Sequence, residues 1–132
     1  MVIVDTTVWI DYLRGTENPE TQWLDRELQR QRLGLTDLIL CEVLQGIREQ
    51  GAFARVRADL LNFEIFQTGG NELAVAAAQN YRDLRQRGYA VHKTIDCLIA
   101  TFCLRAIHEL LHRDRDFDCF EKVLGLRVVH AA

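Results

Sequence analysis

The sequence predicts an α/β domain of three layers, a short parallel five-stranded sheet with helices on both sides. Three observations lead to it. Short apolar runs alternate with longer stretches of helical periodicity, the pattern of strand–helix–strand units. The runs are continuous in apolar character, as strands buried on both faces must be. The 132 residues, 48% hydrophobic and 27% charged, are the size and composition of one domain with a proper core. With a single proline, Pro19, and neither repeat nor low-complexity segment, residues 1–132 are read as one domain without a linker.

Val2-Ile3-Val4 is the first strand, ending at Asp5. Thr6 or Thr7 can cap a helix carrying Val8, Trp9, Tyr12 and Leu13. Asn18-Pro19-Glu20 starts a second helix, with proline in its first turn, which runs through Trp23, Leu24 and Leu28 to Arg30-Gln31-Arg32. Leu33-Gly34-Leu35 is a strand. Thr36 or Asp37 then caps a helix with Leu38, Ile39, Cys41, Val43, Leu44 and Ile47. A helix from about Ala52 to Phe63 leads to the strand Glu64-Ile65-Phe66. Glu72 to Arg87 is amphipathic, with Leu73, Ala76, Ala77, Tyr81 and Leu84 on one face, and Gly88 stops it. Ile95 to Ile107 is apolar nearly all round, the mark of a central buried helix. Glu109-Leu110-Leu111-His112 is the fourth strand, Phe117 to Leu124 a helix, and Arg127-Val128-Val129 the fifth strand.

The start Met1-Val2-Ile3-Val4-Asp5 lacks the basic region and long apolar stretch of a secretory signal. No run approaches the roughly 18 apolar residues of a membrane span. Cys41, Cys97, Cys103 and Cys119 form no C-x-x-C pair and no zinc spacing. A cytoplasmic chain without disulfides is expected. The net charge of −3 is unlike that of most nucleic-acid binders, which are basic. It decides little, because all but Lys93 and Lys122 of the 16 cations are arginines, suited to bidentate phosphate contacts, and acids converging on a metal ion leave the surface charge balance.

Four acids stand where a fold-only account would not put them. Asp5 ends the first strand, Glu42 interrupts the apolar Leu38–Leu44 stretch, Asp96 is the sole acid of the buried helix, and Asp114 lies just beyond the fourth strand. Singly, each has an ordinary reading: Asp5, Asp96 and Asp114 as helix caps, Glu42 on a solvated helix edge or paired with Arg48 or another arginine. Together they point elsewhere. A parallel sheet brings the ends of the first and fourth strands to one edge, and ligands bind at that edge. Converging carboxylates repel, a penalty that a hard divalent cation removes, and an all-oxygen set suits Mg²⁺ or Mn²⁺. Such a centre activates water for phosphodiester hydrolysis.

With these residues in place, the chain resembles the PIN-domain nucleases and, among them, the VapC toxins of bacterial toxin–antitoxin pairs. The matching segments are Ile3-Val4-Asp5-Thr6-Thr7-Val8-Trp9, Glu42-Val43-Leu44-Gln45-Gly46, Ile95-Asp96-Cys97-Leu98-Ile99-Ala100 and Leu111-His112-Arg113-Asp114-Arg115-Asp116-Phe117. With four segments in register and in order from Ile3 to Phe117, the likeness covers essentially the whole chain. The resemblance implies a PIN-like fold and a Mg²⁺- or Mn²⁺-dependent endoribonuclease, paired as a homodimer and silenced by a cognate VapB-like antitoxin. It makes Asp5, Glu42, Asp96 and Asp114 the acidic cluster, Asp116 a further metal or water ligand, and Thr7 a residue that arranges the site. Arg113 and Arg115 flank the acids and are expected to grip RNA phosphates.

Other readings fare less well. Asp114-x-Asp116-x-Asp118 opens like a calcium loop, but Cys119 and Gly125 stand where that loop needs Gly and Glu. An aspartyl-phosphate phosphatase needs an acid two residues after Asp5, where Thr7 stands. His112 is read as a strand-end histidine with a local hydrogen bond. Two alternatives stay open: a PIN nuclease of RNA processing or DNA cleavage, and a non-catalytic module binding RNA or protein.

Overall fold

The computed structural model describes residues 1–131. The chain runs β1 (Val2–Val4), α1 (Thr6–Leu13), α2 (Pro19–Glu27), β2 (Leu33–Thr36), α3 (Asp37–Gln45) and α4 (Gln50–Leu60). It continues through β3 (Glu64–Phe66), α5 (Asn71–Gln86), α6 (Thr94–Ala106), β4 (Glu109–Leu111), a 3₁₀ turn (Arg115–Phe117), α7 (Asp118–Leu124) and β5 (Arg127–Val128). Every expected strand and helix is present. The α/β/α arrangement expected from the sequence is the one observed, a central parallel sheet flanked by helices.

The sheet order is β3-β2-β1-β4-β5, all parallel. The chain winds outward from β1 to β3, then returns to place β4 on the other side of β1. The strand order therefore reverses between β1 and β4, and the crevice of such a sheet opens at the carboxyl ends of that pair. Val4 is in register with Leu111, and the Asp5 N–H donates to the Leu111 carbonyl at 2.9 Å. One further residue on each strand brings the chain to Asp5 and to His112.

All of β1 and β2 is buried, with Ile3, Val4, Leu35, Leu110 and Leu111 fully so. Phe117 and Phe120 fill the space beneath the β4–α7 connection, and truncating either ring to Ala is expected to cost about 3–5 kcal/mol. Gly34 sits where three strands crowd together. A Cβ there would come within 2.9 Å of the Glu64 carbonyl and 3.0 Å of the Met1 sulfur.

The differences from the sequence reading lie at element ends. Leu28 is the C-cap of α2, so Arg30-Gln31-Arg32 falls outside the helix. Glu49 caps α4 by accepting from Gly51 N–H and Ala52 N–H, starting that helix two residues earlier than expected. The chain enters α7 through the 3₁₀ turn rather than a single helix from Phe117. The four cysteines are free, Cys41 on the exposed side of α3 and the other three buried. No helix among the described residues is long and apolar enough to cross a membrane.

Candidate metal centre

The first turn of α1 organises one side of the centre. Asp5 has extended backbone and caps α1 itself, in place of Thr6 or Thr7. Thr7 donates to Asp5 Oδ2 from both its N–H (3.2 Å) and its hydroxyl (2.7 Å). The Thr7 hydroxyl oxygen also accepts the Arg113 N–H at 3.1 Å. One side chain thus ties the end of β1 to the loop that follows β4. The expectation that Thr7 arranges the site has this geometry beside it.

Glu42 reaches the same place from α3. It lies nearly two helical turns beyond Thr36, the last residue of β2, whose hydroxyl caps α3 by accepting the Ile39 N–H. Thr6 donates its hydroxyl proton to Glu42 Oε1 at 2.7 Å. The alternative pairing with Arg48 is not found, and no ion pair among the described residues involves Asp5, Glu42, Asp96 or Asp114.

Asp96 occupies the first turn of α6, the helix the sequence marked as central. Its neighbours Cys97, Ile99 and Ala100 are buried, and Asp96 is only 6% exposed. The Asp96 Oδ2 atom is buried without a hydrogen-bond partner. Beyond β4, Asp114 caps the 3₁₀ turn by accepting the Asp116 N–H on Oδ1 at 2.9 Å. Carboxylate oxygens of Asp96, Asp114 and Asp116 lie within 4.8 Å of one another.

The electrostatics record the crowding. Burial lifts the Asp5 carboxyl from 3.8 to about 6, against the pull of the Thr7 hydrogen bonds and with a further push from Glu42. Asp96 is lifted to about 7, by burial first and then by Asp5 and Asp114, with Glu42 adding to it and Lys93 opposing. Asp96 therefore feels the charges of three acids encoded far from it in the chain or beyond the next strand. Without a cation the arrangement is strained. An orphaned buried oxygen inside an all-carboxylate set is what a hard divalent cation fits, so the residues present suit Mg²⁺ or Mn²⁺.

The basic residues part company. Arg113 is tied to Glu20 of α2 at 3.0 Å, so a phosphate would have to displace that carboxylate. Arg115 is exposed and takes part in no ion pair among the described residues. His112 makes the local bond expected of it, its Nδ1 accepting the Asp114 N–H at 3.1 Å. Burial lowers its proton affinity, and its ring packs on Phe117 with centroids 4.9 Å apart. Sequence reasoning passed over Thr6 as anything but a possible cap. Two adjacent threonines carry no signal as to which one reaches across the fold.

The PIN domain family model matches residues 2–123. Two mycobacterial proteins, Ribonuclease VapC11 of Mycobacterium tuberculosis and VapC ribonuclease Mb1587 of Mycobacterium bovis, are each 27% identical over 129 residues, 96% of either chain. Among solved structures, VapBC2 from Rickettsia felis bound to a DNA fragment from its promoter aligns over 98% of both chains, with a TM-score of 0.77 and 14% identity. FitAcB from Neisseria gonorrhoeae aligns over 99% of this chain and 98% of its own, with a TM-score of 0.75 and 21% identity. At such identities these two likenesses speak to the fold. The family model, spanning nearly all of the chain, says more, and with the full-length likeness to the two mycobacterial VapC ribonucleases beside it the conclusion is plain: this chain belongs to the PIN-domain family.

Proposed function

We propose that the protein is a Mg²⁺- or Mn²⁺-dependent endoribonuclease, the toxin of a VapBC-type module. The observation that carries the reading is the buried, unpartnered Oδ2 of Asp96, a residue whose carboxylate groups within 4.8 Å with those of Asp114 and Asp116 and whose proton affinity the charges of Asp5 and Glu42 raise further. A buried carboxylate with no ion pair and no cap to make is costly, and the helix dipole at its first-turn position offsets only a small part of that cost. The ribonuclease names of the mycobacterial relatives support RNA as the substrate class. The likeness to a toxin–antitoxin complex from Klebsiella pneumoniae supports an antitoxin partner. A homodimer follows from the family resemblance.

In this reading Asp96, Asp114 and Asp116 hold the ion, and Asp5 and Glu42 close the other side. The bound cation supplies an activated water and charge neutralisation at the scissile phosphate. The protein's own residues do the rest. Thr7 fixes Asp5 through Oδ2 and draws the Arg113 backbone toward it, which sets the spacing between the β1 end and the Asp114 loop. His112 fixes that loop from the other side by accepting the Asp114 N–H. Arg115, in no ion pair among the described residues, offers its guanidinium to the phosphate chain, and Arg113 does so on leaving Glu20.

The test is cleavage of a fluorescent RNA with Mn²⁺, with EDTA, and by Asp96→Asn. Cleavage that needs the metal and is lost in the variant supports the proposal. Cleavage indifferent to EDTA, or RNA binding without cleavage, overturns it. A DNA strand of the same sequence, left intact beside cut RNA, separates ribonuclease from general nuclease. Sequencing 5′ ends of cellular RNA after induction identifies the target.

A further inference from the structure

We infer that Thr6 is a positioning residue of the acidic centre, its hydroxyl holding Glu42 beside Asp5. The inference rests on the metal-nuclease reading and deepens it.

Thr6 is the first residue of α1 and only 9% exposed. A threonine hydroxyl at a helix start ordinarily serves as the cap. Here Asp5 has that duty, and Thr7 supplies the donors that fix Asp5. The Thr6 hydroxyl is thereby left for another acceptor. It donates at 2.7 Å to Glu42 Oε1, 36 residues away on α3. Among the described residues this is the one side-chain hydrogen bond joining α1 to α3.

Glu42 needs such a tie. It lies between exposed Cys41 and buried Val43, partly open to water, on three rotatable bonds. Its charge and that of Asp5 repel, a force that drives the flexible side chain outward. Ordering a glutamate costs up to about 2 kcal/mol of rotamer freedom. A short hydroxyl-to-carboxylate bond is among the stronger hydrogen bonds and offsets that cost. It occupies Oε1 and leaves Oε2 without a hydrogen bond among the described residues. Three consecutive residues thus share the work: Asp5 caps the helix, Thr6 holds α3's acid, and Thr7 holds the loop after β4.

The test uses the full chain, stripped of metal, with Thr6→Val (shape kept, hydroxyl lost), Thr6→Ser (hydroxyl kept) and Glu42→Ala. Melting temperature is followed through a Mn²⁺ titration, and cleavage is measured in parallel. Thr6→Val is expected to need roughly tenfold more Mn²⁺ than wild type for the same fixed rise above its own metal-free melting temperature, the concentration taken as its midpoint, which is the size of effect seen when a ligand's supporting hydrogen bond is removed. Thr6→Ser restores the wild-type midpoint, and Thr6→Val changes nothing further in the Glu42→Ala background. A threonine that only packs would lower melting at every Mn²⁺ concentration without moving the midpoint. Thr6→Ala takes the place of the valine variant if that one does not fold. A Mn²⁺-responsive wild type with a Thr6→Val midpoint equal to it overturns this inference alone. A wild type with no Mn²⁺ response overturns the metal reading and the inference with it.

Discussion

Asp5 and Asp96 are two buried aspartates at one edge of the sheet, each at the start of a helix, and they are held in opposite ways. Asp5 caps α1 and receives two hydrogen bonds from Thr7. Asp96 lies inside the first turn of α6, caps nothing, and keeps Oδ2 buried and unpartnered. Burial raises both carboxyls, Asp5 to about 6 against the pull of its hydrogen bonds, and Asp96 to about 7 with the charges of Asp5, Asp114 and Glu42 adding to burial. The difference separates two kinds of acid. One is tied into the fold as a helix cap. The other is buried with an oxygen that no group among the described residues satisfies, a cost that points to a candidate functional site.

The comparison can be broken most forcefully by chemistry. Asp5→Asn and Asp96→Asn are each expected to lower Mn²⁺-dependent RNA cleavage on the order of 10³-fold, several kcal/mol of transition-state stabilisation. Single-turnover rates at saturating RNA check this. Cleavage retained by Asp96→Asn would remove the reason for its burial.

Next in size is the pH dependence of the metal-free protein. Both carboxyls bind their proton more tightly folded than unfolded, so stability falls as pH rises. The stabilisation is complete below the ordinary value of 3.8 and is lost once pH has passed about 6 for Asp5 and about 7 for Asp96. For Asp5 this amounts to about 3 kcal/mol. Urea denaturation in EDTA from pH 4 to 8 measures the slope. It should flatten in either asparagine variant, more so in Asp96→Asn, and that variant should melt above wild type at pH 8. Equal flattening would erase the distinction between the two acids.

A smaller effect comes from the ion. Mn²⁺ at a hundred times its dissociation constant should stabilise the wild type by about 2.7 kcal/mol at pH 8, by mass action on the native state. Asp96→Asn should show little of this response in calorimetry. The smallest effect lies at the far end of α6. Ile107 ends that helix in the left-handed region, φ 57° and ψ 49°, with 65% of its surface exposed. A β-branched residue is strained there, and Ile107→Asn should stabilise by about 1 kcal/mol. The Mn²⁺ midpoint should not move, because the strain lies away from the acids.

Much of this molecule was legible because its signals are local. Val2–Val4 announces a buried strand by composition, Asn18-Pro19 announces a helix start, and an acid inside Ile95–Ile107 stands out against its apolar neighbours. Asp5, Glu42 and Asp96 were legible as candidates for the same reason, as charges in apolar company, and Asp114 by its place just beyond an apolar strand. What escaped was the partner of each group. Local sequence could not choose between Asp5, Thr6 and Thr7 as the cap, since all three side chains can accept a backbone N–H. Nor could it pair Arg113 with Glu20, because two surface charges 93 residues apart carry no mutual mark in the chain.

By itself the sequence determined the alternation of strands and helices, the residues that fill the core, and the acids too costly to bury without compensation. Periodicity and desolvation act residue by residue. The tertiary structure decided the order β3-β2-β1-β4-β5, which opens the crevice beside β1, and with it the 2.7 Å bond from Thr6 to Glu42. Those outcomes depend on which faces pack together, and a contact between distant residues exists only once the chain between them has folded.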